Sequence, residues 1–134
     1  MPMITVKMAH PKAETLINEA AALASSLTER YLGKDPKVTA VAVDVVPLQR
    51  WFVSGRPLAA SAQASFFLEV RITEGTNTKD EKAKYIAEAF AAFRNLLGEL
   101  HTESYVHVIE ARADAYGYGG STQERRYVEG HPRG

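Results

Sequence analysis

Pro2 is the residue whose position most invites chemistry. It follows Met1, and residues 3–8 read as a strand. If Met1 is removed, the chain begins with a secondary amine fixed in direction by its ring and held at the end of a sheet. Neutral, that amine is a base; protonated, it is an acid. A prolyl nitrogen inside a chain is an amide and does neither. A free α-amino group titrates at about 7.7–8.0, and burial or a nearby cation lowers that value. A nitrogen tuned close to neutrality suits proton transfer at carbon. An N-terminal proline with no chemical role is the plainer reading of the same residue.

Other side chains offer polar or aromatic surface. Tyr105 and His107 alternate with Val106 and Val108, so a hydroxyl and an imidazole share one face of a strand. Trp51, Phe52, Tyr116 and Tyr118 can wall a site against water, or simply pack. His10, His101 and His131 show no metal-ligand spacing with carboxylates, so no metal and no cofactor is expected. The absence of cysteine excludes thiol nucleophiles and thiolate metal sites. The run Gly117-Tyr118-Gly119-Gly120 is not read as a phosphate loop. It is expected to open no helix, and it lacks the Gly-Lys-Ser/Thr ending.

Composition narrows the field. The 134 residues suffice for one domain with a real core, read as spanning 1–134. Lys+Arg and Asp+Glu both number 16, so no global field favours nucleic acid or an anionic membrane. The first residues lack a basic segment followed by an apolar one. No apolar run reaches the ~18–20 residues of a membrane span. The expectation is a cytoplasmic protein.

The elements that must position these residues come in two similar halves, about 2–58 and 66–120. Residues 3–8 read as a strand, 12–33 as a helix and 38–46 as a β-branched strand ended by Pro47. Gly33 stands where a helix C-cap falls, with Pro36 beyond. A second strand at 66–73, a helix from Lys79 to Leu97 capped by Gly98, and a strand at 104–111 follow. A gapless shift of 65 residues pairs Leu32 with Leu97, Gly33 with Gly98, Val41 with Val106, and Gly55 with Gly120. It puts Phe67 in the place of Pro2. A duplicated β-α-β unit in an α+β fold follows: a four-stranded mixed sheet with two helices on one face. The other face, expected to be β-branched and bare, predicts oligomerisation. The polar segment 121–134 is expected to fray or to wrap onto a neighbouring subunit.

Several segments together resemble the tautomerase superfamily. They are the Met1-Pro2 start, the turn Gly33-Lys34-Asp35-Pro36, the strand Ala40-Val41-Ala42-Val43-Asp44-Val45-Val46-Pro47, and Glu74-Gly75 before a Lys-rich helix. The glycine-rich Tyr116-Gly117-Tyr118-Gly119-Gly120 and the stretch Asp114-Ala115-Tyr116 complete the set. The superfamily includes 4-oxalocrotonate tautomerase, 5-carboxymethyl-2-hydroxymuconate isomerase and macrophage migration inhibitory factor. The resemblance runs to about residue 120. It implies a cofactor-free isomerase, typically trimeric, with Pro2 as the base. Its substrate would be a small 2-oxo or 2-hydroxy acid, including unsaturated dicarboxylates of aromatic catabolism.

Such carboxylates call for a cation. The family motif Glu-Gly-Arg reads Glu74-Gly75-Thr76 here, and Arg71 is the substitute. Tyr105 or His107 would polarise the substrate oxygen, with Trp51 and Tyr116 in the wall. Lys34, matched only through its turn, is read as a loop lysine. Dehalogenation, hydration or decarboxylation with a protonated Pro2 stays open within the superfamily. Outside it, so does a non-catalytic oligomeric binding module.

Overall fold

Strict alternation builds the centre of the molecule. In β1 (Met3–Ala9), Ile4, Val6 and Met8 are fully buried, while Met3, Thr5 and Lys7 point the other way. A computed structural model describes residues 1–130 and shows β1 beside two strands. Strand β2 (Ala40–Val45) runs parallel to it, after the helix α1 (Ile17–Leu32) crosses over. Between β2 and the next long strand lies a two-residue hairpin, β3 (Phe52–Val53) with β4 (Arg56–Pro57). The long strand β5 (Ser65–Thr73) then pairs antiparallel with β1. The helix α2 (Lys79–Leu97) returns the chain to β6 (Tyr105–Ala111), parallel to β5. A second hairpin, β7 (Gly117–Tyr118) with β8 (Ser121–Thr122), leads into α3 (Gln123–Gly130). The sheet order is β2-β1-β5-β6.

The core lies between this sheet and the helices α1 and α2. Phe66, Leu68, Val70 and Ile72 of β5 join Ile4, Val6 and Met8 against Ala20, Ala24, Ala89 and Phe93. The helix alanines let the backbones approach, and the Phe66 and Phe93 rings stack at 4.5 Å. A polar pair, Thr28 and Tyr85, is sealed inside this core. The Thr28 hydroxyl donates to the Ala24 carbonyl at 2.8 Å and meets the Tyr85 hydroxyl at 3.0 Å. Burial pushes the Tyr85 phenol up to about 12. No helix among the described residues is long and apolar enough to cross a membrane.

Local chemistry sets the helix ends. Thr78 and Glu81 form a reciprocal capping box at the start of α2. Asn77, one residue earlier, donates to the Leu32 carbonyl and so ties the end of α1 to that start. Gly33 closes α1 in the left-handed conformation (φ 68°) that a side chain resists. The α1 helix starts later than its periodicity predicts. Pro11 is followed by a 3₁₀ turn over Ala13–Thr15, and α-helical bonding begins only at Ile17.

The duplication is present, with a correction. Both hairpins obey the 65-residue shift, and their turns match: Ser54-Gly55 and Gly119-Gly120 all have positive φ. The first strands do not obey it. Buried Ile4, Val6 and Met8 correspond to buried Leu68, Val70 and Ile72, a shift of 64. The counterpart of Pro2 is therefore Phe66, not Phe67, because a one-residue slip turns every side chain to the opposite face.

The bare sheet face needs a second correction. Val41, Val43, Val45, Val106 and Val108 pack toward the helices instead. The open face is mixed: Lys7, Asp44, Glu69, Arg71 and His107 stand among Met3, Ala40, Ala42, Phe67, Tyr105 and Ile109, so it is not the β-branched surface expected but it still presents apolar side chains. Residues 121–130 depart from expectation too, forming β8 and α3 rather than a frayed tail, so a helix does follow the glycine-rich run. The remainder of that segment, with His131, lies outside the described residues.

The Thr28–Tyr85 pair gives a stability prediction. Thr28→Val strands a buried phenol and should cost about 1–3 kcal/mol, whereas Tyr85→Phe leaves Thr28 its Ala24 partner and should cost about 1 kcal/mol or less. Urea unfolding of both variants measures the order. The pH dependence has a definite sign. Tyr85 is held protonated in the folded state, so its contribution is full below the ordinary value of 10.0 and is lost as pH rises toward about 12. Tyr85→Phe should flatten that alkaline loss.

Candidate active site

The register of the central strands assembles the candidate site. Met3 stands opposite Arg71 on one side and Ala40 on the other, so β5 and β2 flank the start of β1. Pro2 is buried there, and its carbonyl accepts from the Ala40 amide at 3.2 Å. A cleft of about 680 Å³ opens at this point. Its walls are Met1 to Met3, the segment Lys37–Ala40 leading into β2, Arg71, and Tyr116 to Tyr118.

Tyr116 holds the floor together. Its hydroxyl lies 2.5 Å from the Met1 carbonyl and 3.1 Å from the Arg71 carbonyl, with one proton to share between them. Burial raises its phenol above the ordinary range, against smaller opposing effects of a backbone hydrogen bond at Met3 and the charge of Arg71. Gly117 follows because nothing larger fits. A Cβ there would come within 2.1 Å of the Ser121 carbonyl oxygen across the hairpin.

The electrostatics favour an uncharged amine and an anionic ligand. The Met1 amino group is held below its ordinary value of 8.0, first by burial and then by the positive charge of Lys34. Arg71 pairs with Glu69 on its own strand at 3.0 Å, both partly exposed. Lys37 lies on the opposite side of β1 in the cleft wall. Lys34 is more than a loop lysine: it is half-buried, and its ammonium donates to the Thr76 hydroxyl at 2.9 Å. Burial lowers its pKa, with Glu81 pulling the other way. Thr76 holds the position where the resembling motif has arginine, so a cation comes to that place from another element.

Of the residues singled out in the sequence, Pro2, Arg71 and Tyr116 meet in this cleft. Tyr105, His107 and Trp51 do not reach it within one chain. Tyr105 and Trp51 line a separate depression of about 280 Å³ with Phe52 and Glu103. The Tyr105 hydroxyl donates to the Glu103 carboxylate, which raises the phenol's pKa. His107 stands on β6 opposite Glu69. This depression is the internal counterpart of the Pro2 cleft. Trp51 answers to Tyr116, Tyr105 to Ala40, Glu103 to Val38, and Phe66 to Pro2. Lys37 and Tyr118 were not singled out as leading site residues; the flanking of β1 by β2 is what brings Lys37 in, and no local motif announces it.

The fold is shared with solved structures of fused 4-OT proteins and of macrophage migration inhibitory factor. A structure described as native fused 4-OT matches with a TM-score of 0.80 at 18% identity, covering 92% of this chain and 97% of that one. Pt0534, described as inactivated by 2-oxo-3-pentynoate, matches at 0.78 and 14% identity, covering 92% and 98%. Macrophage migration inhibitory factor from Trichinella spiralis matches at 0.70 and 20% identity, covering 90% and 98%. Another fused 4-OT of this fold, 16% identical, is described as a symmetric trimer. No family model and no curated protein sequence matches the chain.

The hairpin tests the cleft's construction. Gly117→Ala forces β7 away from β8, so backbone amides of 116–122 should exchange far faster while those of β1 and β5 keep their protection. Hydrogen exchange read by mass spectrometry checks this.

Proposed function

We propose that this protein is a cofactor-independent tautomerase acting on small 2-oxo or 2-hydroxy acids in the cytoplasm. Pro2 is its general base after removal of Met1. The observation that carries the reading is the seat of Pro2, buried at the start of β1 in a cleft with Arg71 on one flank and Lys37 on the other. Burial and Lys34 lower the Met1 amine. The same surroundings would lower the pKa of a Pro2 amine and so favour its neutral form.

The chemistry is then a proton shuttle. Neutral Pro2 takes a proton from carbon beside the substrate carbonyl, and the C–H electrons move onto oxygen as an enolate. The prolinium returns the proton to another carbon of the conjugated system, and the carbonyl re-forms. Arg71 binds a carboxylate, exchanging Glu69 for the substrate. Lys37, across β1, suits a second anionic group, which favours an unsaturated dicarboxylate.

Tyr105 and His107 would complete the site from an adjoining copy in a homo-oligomer, a trimer as described for a fused 4-OT of the same fold. The acidic Glu103 beside Tyr105 complements the cationic cleft it would face. With Phe66 in place of the second amine, a trimer carries one site per chain. Dehalogenation or decarboxylation needs a protonated Pro2, and the lowered amine argues against both.

Intact-mass measurement should show Met1 absent, and 2-oxo-3-pentynoate should label Pro2. With phenylenolpyruvate as substrate, Pro2→Ala should lose about 10²-fold or more in kcat/KM. Arg71→Gln should raise KM roughly tenfold, as expected for a lost charged hydrogen bond. The base must be unprotonated, so kcat/KM should rise with pH, with its midpoint below 8.0, the ordinary value of the amine. Retained Met1, or full turnover by Pro2→Ala, would overturn proline catalysis and leave the binding-module reading.

A further inference from the structure

The β7–β8 hairpin forms one wall of the cleft through Tyr118, yet it has little to hold it. It is two residues long on each side, and Gly117, Tyr118, Gly119 and Gly120 are all exposed. A short isolated hairpin is marginal in water. Its internal counterpart, β3–β4, is pinned by Leu58, which follows it directly and is 2% exposed. At the position equivalent to Leu58 stands Gln123, and α3 buries no residue at all. The second hairpin needs another anchor.

Arg126 supplies it. Its guanidinium lies 3.8 Å from the Tyr118 ring centroid, and one terminal nitrogen donates to the Tyr118 carbonyl at 2.8 Å. Gly119 leaves the room for this. A Cβ at Gly119 would stand 2.9 Å from that same nitrogen. The first turn of α3 is fixed to the preceding chain by Gln123 N–H to the Tyr116 carbonyl and Glu124 N–H to the Ala113 carbonyl. Thr122 accepts the Arg125 amide and starts the helix. Arg126 therefore reaches back from a tethered helix and grips the ring from one side and its carbonyl from the other.

We propose that Arg126 is a positioning residue for the cleft. It holds Tyr118 as a wall, and so sets how closely a substrate beside Pro2 and Arg71 is enclosed. The effect on catalysis rests on the reading of the cleft as a tautomerase site; the effect on the hairpin does not. Lysine would keep the charge but lose the flat face and the fork that serve ring and carbonyl together.

The experiment has two readouts. In Arg126→Ala, amide exchange over 116–122 should accelerate roughly tenfold, the loss of a cation–π contact plus a charged hydrogen bond, while the melting temperature holds. With phenylenolpyruvate, KM should rise by a similar roughly tenfold factor and kcat by comparison should move little, since Arg126 does not touch the reacting atoms. Arg126→Lys should fall between, and Gly119→Ala should mimic Arg126→Ala. Unchanged exchange in Arg126→Ala would overturn the proposal, as would a fall in kcat at constant KM. A wild-type chain without turnover would defeat the tautomerase reading alone, leaving exchange to decide the role of Arg126.

Discussion

The antiparallel pairing of β1 with β5 is the constraint on which the rest depends. It joins the two halves of the chain in one sheet, and it alone sets Met3 opposite Arg71. That register delivers a cation to the side of Pro2 from a distant part of the sequence. It also fixes which residues face the helices. Shifting it by one position would bring Phe67 and Glu69 to the core and drive Phe66 and Leu68 to the open face. The buried stack of Phe66 on Phe93 opposes that exchange.

Much of this was legible before any coordinates. The helix Lys79–Leu97 and its flanking strands follow from period and from Gly98, a cap that acts locally. The same holds for Gly33, whose left-handed backbone is a local demand. What was hidden is non-local. The strand offset of 64 rather than 65 depends on one extra residue between β5 and α2, invisible until burial assigns the faces. Lys34 looked solvated because nothing in its own segment reveals that Thr76 and the Met1 amine lie near it.

The two halves also show what divergence within a duplicated frame can do. Backbone geometry is kept, down to the positive-φ pairs in both hairpin turns. Chemistry is not. Around Pro2 the frame carries Lys34, Lys37 and Arg71; at the equivalent places the other half carries Glu99, Thr102 and Lys7. One cleft is suited to anions, and the other, with Trp51, Tyr105 and Glu103, has become aromatic and acidic.

The half-buried amine of Met1 has a practical side. Met1 lines the cleft, and its carbonyl is in reach of the Tyr116 hydroxyl. Any peptide added ahead of it must leave through the cleft mouth and would occupy the volume meant for a ligand. An affinity handle at that end would yield a well-folded protein with a plugged cavity. Purification handles, fluorophores and surface tethers belong away from Met1.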